Sequence, residues 1–199
     1  MIQNNDNTKR ESIKAAAKRL FFHFGLTKTS MDEIAQQCNL AKPSLYYYYP
    51  SKEAIFNEIV IDEARKFIDK VEKKIPPHLP ADEKIAFFFM TLYQDLKKYA
   101  KALSHLPESL YENYPHGRPI IEKINEFMRE KIRPLLKEGQ KNNLLEIKDE
   151  KSTLSALVVM TDFLNLEWMR RIDEKEGDKI IEHAIEIITN GIRRRNTHD

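Results

Sequence analysis

Cysteine is nearly absent from this sequence, and several patterns that would indicate other protein classes are missing. Cys38 is its only cysteine, which excludes an internal disulfide and a multi-cysteine zinc site. No segment approaches the roughly 18 continuous apolar residues that a membrane helix needs. The polar stretch 1–10 also lacks the apolar run of a signal peptide. We therefore expect a soluble protein of the cytoplasm that is not attached to a membrane.

Motifs that would indicate an enzyme or a metalloprotein are also missing. The six histidines show no metal-ligand spacing such as His-x-x-x-His, and no Gly-x-Ser-x-Gly elbow, phosphate-binding loop or paired acidic motif is found. We predict that the protein is not an enzyme and needs no metal and no cofactor. A helical enzyme stays open as the alternative from another class, because a site can be assembled from residues far apart in sequence.

Helical periodicity runs through most of the sequence, and no segment alternates as a strand does. Hydrophobic residues make up 41% of the chain and charged residues 32%, which is typical of a folded, helix-rich protein. We predict an all-α fold of about nine helices. We expect a first domain at residues 1–52, a connecting helix at 53–75 and a larger helical domain at 76–199.

Local signals predict where the first helices begin and end. The run Thr8–Glu11 has the pattern of a capping box, in which a hydroxyl and a glutamate cap a helix start, and Gly25 suits the end of that helix. A second capping box, Ser30–Glu33, predicts the start of a short second helix. Pro43 is tolerated in the first turn of a third helix, and Ser51 is the predicted N-cap of a fourth.

Two short helices joined by a tight turn and covered by a third have the architecture of a helix-turn-helix, whose second helix enters the DNA major groove. Four successive tyrosines span all faces of that helix. We expect Tyr49 to join Leu45 in the core and Tyr47 and Tyr48 to be exposed, with Tyr46 left open. The charge distribution also favours DNA binding by this segment. Residues 1–52 carry eight basic and four acidic side chains, while the whole chain has a net charge of only +2.

Several spaced groups of residues between Arg10 and Ile59 together resemble the TetR family of bacterial transcriptional regulators. The resemblance is carried by four runs: Ala16–Phe21 followed by Gly25, Lys28–Ala35, Leu40–Tyr49, and Ser51–Glu53. It implies a homodimer that binds double-stranded DNA at a palindromic operator. It also implies, as the family default, a repressor, and the small-molecule effector that we expect is largely apolar.

The resemblance also implies which residues meet DNA. Either Thr29 or Ser30 would cap the second helix near a phosphate, and Lys52 would anchor the backbone. The predicted contacts are Thr29, Ser30, Lys42, Pro43, Ser44, Tyr46, Tyr47, Tyr48 and Lys52. Pro43 departs from the family pattern, in which glycine is more usual, and because proline has no N–H it cannot donate a main-chain hydrogen bond to phosphate.

The larger domain supplies candidates for an effector site and for a dimer interface. Aromatic and apolar residues that could line a cavity, or that simply fill the core, are Phe89, Tyr93, Tyr111, Phe127, Met160 and Phe163. The last two helices are apolar on more than one face and therefore need more than one neighbour. The resemblance implies a four-helix bundle between two subunits, with predicted contacts at Leu157, Leu164, Ile181, Ile185 and Ile188. A second stripe on these helices includes Val159, Ile180 and Ile187.

A DNA-binding or nucleoid-associated protein without an inducer stays open as the alternative within regulation, and a protein-binding helical adaptor is a more distant one.

Overall fold

The computed structural model describes residues 2–102, 117–162 and 172–194. Within these ranges the chain forms helices and no strand, which confirms the all-α class. The helices are α1 (Ile2–Phe24), α2 (Met31–Gln37), α3 (Lys42–Tyr48), α4 (Lys52–Glu72), α5 (Ala81–Ala102), α6 (Gly117–Lys141), α7 (Glu150–Asp162) and α8 (Glu174–Ile192). The sequence pattern also predicts a short helix at 105–114, and that segment lies outside the described residues.

The described residues fall into two compact units. The first comprises residues 2–64 and 117–121, and the second comprises 65–102, 122–162 and 172–194. Residues of α4 belong to both units.

The first unit is built around a small apolar core that draws on α1, α2, α3 and the start of α4. Its fully buried members are Ile13, Ala17, Ile34, Leu45 and Ile55. Helices α2 and α3 have only seven residues each, too few to be stable alone in water. Burying one large aliphatic side chain contributes roughly 1.5–3 kcal/mol, so this shared core is what holds the two short helices in place.

The ends of the short helices follow the local signals in the sequence. The capping box at α2 is confirmed, since Glu33 N–H donates to Ser30 Oγ (3.2 Å) and Ser30 N–H donates to Glu33 Oε2 (2.7 Å). Gly25 ends α1 with a φ of 83°, in the left-handed region that glycine adopts without strain. Ser51 caps α4 by accepting a hydrogen bond from Ala54 N–H (3.2 Å).

The predicted start of α1 at Thr8 is wrong, because the helix begins at Ile2 and Thr8 lies inside it. Two contacts accompany the longer helix. Glu11 forms an ion pair with Lys14 (2.6 Å) rather than capping the helix. Upstream, the Asp6 carboxylate accepts a hydrogen bond from the Tyr48 hydroxyl (3.2 Å), which ties the first turns of α1 to α3.

The second unit has its own core, in which α5 packs against α8. Its fully buried large side chains include Ile85, Phe88, Met128, Ile132, Leu136 and Leu154. The end of α8 is tied back to the connection between α6 and α7 by a bridge between Leu145 and Arg193. The Arg193 guanidinium also donates to the Asp82 carboxylate (2.6 Å).

Candidate nucleic-acid interface

Helix α3 divides its side chains between the core and the solvent. Leu45 (0% exposed) and Tyr49 (2%), the residue that follows the helix, are buried, whereas Tyr46 (45%) and Tyr47 (77%) are exposed. The expectations for Tyr47 and Tyr49 are therefore confirmed, and Tyr46 joins the exposed group. The other exposed predicted contacts on the helix are Lys42, Pro43 and Ser44. This exposed surface, which we call the α3 face, carries an ammonium group and hydroxyl groups that can donate to phosphates and base edges.

Tyr48 differs from the expectation that it would be exposed. Its side chain is half-buried and packs against the core of the first unit. The hydroxyl donates to Asp6, and the ring meets the Tyr47 ring edge-on, with centroids 5.1 Å apart. Burial, followed by the nearby Asp6 carboxylate, raises the pKa of Tyr48. Its hydroxyl would have to leave Asp6 in order to donate to DNA.

Lys42, at the start of α3, is paired with an acidic residue of α2. Its Nζ lies 2.8 Å from Asp32 Oδ1, and both side chains are more than half exposed. The hydrogen bond to Asp32 raises the pKa of Lys42, so the ammonium stays charged at neutral pH. A phosphate that approaches Lys42 therefore competes with the Asp32 carboxylate.

Lys52, at the start of α4, is bonded to the connection between α1 and α2. Its ammonium donates to the carbonyl oxygens of Thr27 (3.0 Å) and Thr29 (2.8 Å). Because an ammonium has three donors, one is left for a phosphate.

The structure decides between the two capping candidates in favour of Ser30. Thr29 is only 2% exposed and its hydroxyl donates to the Gly25 carbonyl (2.9 Å), so a capping role for Thr29 is wrong.

A polar cluster that sequence reasoning missed lies between α1 and α4. Lys14 is 8% exposed and is surrounded by the carboxylates of Glu11, Glu58 and Asp62. Burial alone would lower the pKa of Lys14, but hydrogen bonds to Asp62, Glu11 and Glu58 outweigh it and raise the pKa. These carboxylates keep the Lys14 ammonium charged. A buried cation needs such paired partners, because burying an unpaired charge is costly.

Arg10, one turn before Lys14, connects the same cluster to the end of α3. Its guanidinium donates to Glu58 Oε2 (3.2 Å) and to the backbone carbonyl of Tyr48 (3.1 Å), and it lies 4.7 Å from the centre of the Tyr49 ring. The signal that could have found these residues is spacing. Asp6, Arg10 and Lys14 follow one another every four residues and so share one face of α1.

Comparisons with known proteins relate the segment that forms this interface to one family. Residues 13–59 match the family model described as bacterial regulatory proteins, tetR family. This segment belongs to the TetR family. The chain is similar to the HTH-type transcriptional regulator YhgD of Bacillus subtilis, with 21% identity over 163 residues, which are 82% of this chain and 85% of YhgD. Over 126 residues it is 28% identical to IcaR, the biofilm operon icaADBC HTH-type negative transcriptional regulator of Staphylococcus epidermidis, covering 62% of this chain and 66% of IcaR.

A solved structure agrees in fold along most of the chain. The crystal structure of RolR in complex with resorcinol superposes with a TM-score of 0.66 at 14% identity and covers 96% of this chain and 90% of RolR. The family model and the two named relatives, which are regulators rather than enzymes, identify the protein as a DNA-binding transcriptional regulator. No helix in the three described ranges is both long and apolar enough to cross a membrane.

The residues predicted to line an effector site lie in the second unit wherever they are described. Phe89 and Tyr93 on α5 and Phe127 on α6 are buried, and Met160 on α7 is half-buried. The Tyr93 hydroxyl donates to Asp178 Oδ1 of α8 (2.9 Å). Burial, together with this hydrogen bond, raises the pKa of Tyr93 to about 12. Tyr111 and Phe163 lie outside the described residues.

Two of the five residues predicted to form the dimer interface are enclosed by their own chain. Leu157 is 2% exposed and Ile185 is 8% exposed, while Ile181 and Ile188 are half-buried. The assignment of Leu157 and Ile185 to an intersubunit surface is therefore wrong, because a helix with two apolar stripes buries one against its own subunit. Leu164 lies outside the described residues. The second stripe is the exposed one, with Val159 at 52%, Ile180 at 44% and Ile187 at 60%.

Proposed function

We propose that this regulator is a homodimeric repressor of the cytoplasm that binds a palindromic operator through α3 and is released by a small, largely apolar ligand. The α3 face carries the proposal, because its exposed lysine, serine and tyrosines sit on a helix whose other side is anchored in a core. Repression is supported by the similarity to IcaR, which is named as a negative regulator. A ligand is supported by the fold shared with RolR, which was solved with resorcinol.

A two-fold dimer follows from the size of the recognition element. Seven residues of α-helix span about 10 Å, so one copy of α3 reaches only a few base pairs. A symmetric dimer doubles that contact and places two copies on half-sites roughly 34 Å apart, or a multiple of a helical turn, on one side of the duplex.

The exposed apolar side chains of α7 and α8 are the proposed dimer contacts. Val159, Ile180 and Ile187 are about half exposed or more in a single chain, and an exposed apolar surface of this kind is typical of a protein interface. Gly191 lies on α8 one turn after Ile187, where a Cβ would meet no neighbouring atom in the described structure. A second helix could therefore approach closely at that end of α8.

The second unit is the proposed ligand-binding unit. Ligand sites are mostly apolar with a few placed polar groups, and this unit buries Phe89, Tyr93 and Phe127. The Tyr93 hydroxyl and Asp178 supply a polar pair on neighbouring helices. Melting curves recorded with a panel of small aromatic compounds test this proposal, because a ligand that binds only the folded state raises the melting temperature. A compound that raises it and also releases DNA supports the proposal, and a panel without any such compound argues for regulation without an inducer.

DNA binding is tested by selection from a library of randomised duplexes with the unmodified protein at moderate salt. We expect recovery of a sequence with two inverted half-sites, and tighter binding to it than to a scrambled duplex of the same composition. Specific binding by such proteins typically exceeds non-specific binding by about a thousandfold or more. Recovery of no preferred sequence would contradict operator recognition.

The dimer is tested at Ile187. Ile187→Glu places a charge in the proposed interface and should shift the protein to monomer in analytical ultracentrifugation. Ile187→Leu is the matched control and should stay dimeric, because it keeps the apolar surface. A dimeric Ile187→Glu variant would remove this stripe from the interface, and a wild-type protein that is monomeric at all concentrations would refute the homodimer.

A further inference from the structure

The first turns of α1 hold the last residue of α3 at two points. The Asp6 carboxylate accepts a hydrogen bond from the Tyr48 hydroxyl (3.2 Å), and the Arg10 guanidinium donates to the Tyr48 backbone carbonyl (3.1 Å). These residues are separated by about forty positions in the sequence. Both contacts lie within the first unit.

The contact from Arg10 addresses a specific need of a short helix. The last carbonyl groups of a helix have no partner within the helix, and a cation near them interacts favourably with the helix dipole. Arg10 is itself held in place, because it also donates to Glu58 of α4 and lies over the Tyr49 ring. The end of α3 is therefore fastened to both α1 and α4 through a single side chain.

The contact from Asp6 fixes a side chain that supports the α3 face. The Tyr48 ring meets the Tyr47 ring edge-on, with an interplanar angle of 87° and 5.1 Å between centroids. This is a favourable arrangement for two aromatic rings. Tyr47 is the most exposed tyrosine of α3, at 77%. An ordered Tyr48 restricts the orientations open to Tyr47 and so reduces the conformational entropy that Tyr47 loses on meeting DNA.

We infer that Asp6 and Arg10 are positioning residues for operator recognition, which fix Tyr48 and, through it, the orientation in which Tyr47 meets base edges. This inference rests on the proposed operator binding. The competing explanation is that Asp6 acts only as a negative charge near the DNA. The two explanations differ for a substitution that removes the charge and keeps a hydrogen-bond acceptor.

The test compares Asp6→Ala with Asp6→Asn. The probes are the duplex recovered by the wild-type protein from a randomised library and a scrambled duplex of the same composition. We expect Asp6→Ala to reduce the ratio of the two affinities by about 3- to 10-fold, the range expected for one hydrogen bond. We expect Asp6→Asn to keep a ratio close to that of the wild type, because its amide oxygen can still accept from Tyr48. Equal effects of the two variants on both duplexes would show that only the charge matters and would overturn the inference.

A double-mutant cycle with Tyr48→Phe separates positioning from direct contact. If the Tyr48 hydroxyl acts through Asp6, then Asp6→Ala and Tyr48→Phe have overlapping effects, and the double variant is no worse than either single one. Additive effects would mean that the hydroxyl contacts DNA itself, which would overturn the role given to Asp6. Melting temperatures of all variants show whether a reduced affinity ratio accompanies unfolding. If Asp6→Ala is unfolded, the comparison of Tyr48→Phe with Asp6→Asn decides whether the inference holds.

Arg10 is tested in the same way with Arg10→Lys and Arg10→Met. Lysine can reach only part of the guanidinium's contacts, because it lacks the planar fork that serves Glu58 and the Tyr48 carbonyl together. We expect a graded loss of the affinity ratio, smaller for Arg10→Lys than for Arg10→Met. A ratio unchanged in Arg10→Met would remove Arg10 from the inference. If the wild-type protein selects no sequence, operator binding fails. If the wild-type protein selects a sequence and the variants prefer that duplex over the scrambled one as strongly as the wild type, only the positioning role fails.

Discussion

Replacing Asp32 by asparagine should strengthen DNA binding by freeing Lys42. In the DNA-free protein the Lys42 ammonium is paired with Asp32 at 2.8 Å, with side-chain exposures of 56% and 63%. Ion pairs this exposed contribute little to stability, so a phosphate can displace the carboxylate at small cost. We therefore expect Asp32→Asn to tighten binding by only about two- to fivefold at low salt.

The salt dependence supplies the sharper measurement. Each additional lysine–phosphate contact makes the slope of log K against log salt steeper by about 0.9. Fluorescence-anisotropy titrations of the selected duplex between 50 and 200 mM salt, the range over which such contacts are usually compared, would give the slope for both proteins. If Lys42 already binds a phosphate in the wild type, Asp32→Asn changes the affinity and leaves the slope as it was.

The control is the same substitution in a Lys42→Met background. If Asp32 acts by holding Lys42, Asp32→Asn has no effect when the lysine is absent. A gain of equal size in both backgrounds would show that Asp32 simply repels the duplex, and it would refute the pairing argument. Melting curves accompany the cycle, because Asp32 also lies in the first turn of α2, where a negative charge favours the helix.

Further substitutions test other parts of the structure. Tyr47→Ala should cost about 1–3 kcal/mol on the selected duplex and much less on a scrambled one if the ring reads a base; equal losses would make it a backbone contact. Ser30→Ala should lower the free energy of unfolding by about 0.5–2 kcal/mol in urea titrations. Hydrogen bonds from the backbone N–H and then the hydroxyl of Ser30 lower the pKa of Glu33 below its ordinary value, so the part of the capping box that the Glu33 carboxylate accepts is complete above the unfolded-state pKa and is lost as the pH falls through the folded-state pKa. Ser30→Ala keeps the backbone bond to Glu33 and removes only the hydroxyl's bond, so the difference between wild type and Ser30→Ala should shrink only in part in acid, and a difference that grows as the pH falls would contradict this reasoning. Gly139→Ala should destabilise the protein by about 1–3 kcal/mol, because a Cβ would overlap the Leu145 side chain; the combination with Leu145→Val should recover part of the loss in a thermal melt.

The sequence by itself determined the features that depend on near neighbours. The capping box at Ser30, the left-handed turn at Gly25 and the burial of Leu45 with Tyr49 follow from side chains within a few residues or from the helical repeat. The family followed from the same segment, because its spaced residues lie in one continuous stretch of about fifty positions.

Only the tertiary structure decided the contacts between distant residues. The helical repeat shows that α8 has two apolar stripes, but Ile185 and Ile187 are equally apolar. Only the packing of the second unit determines that Ile185 is buried and Ile187 exposed. In the same way, nothing local to Asp6 or Arg10 indicates that they hold Tyr48. Local hydrogen bonds and helix periodicity are set by the neighbouring chain, whereas the partners of these side chains depend on how α1 and α3 come together on one core.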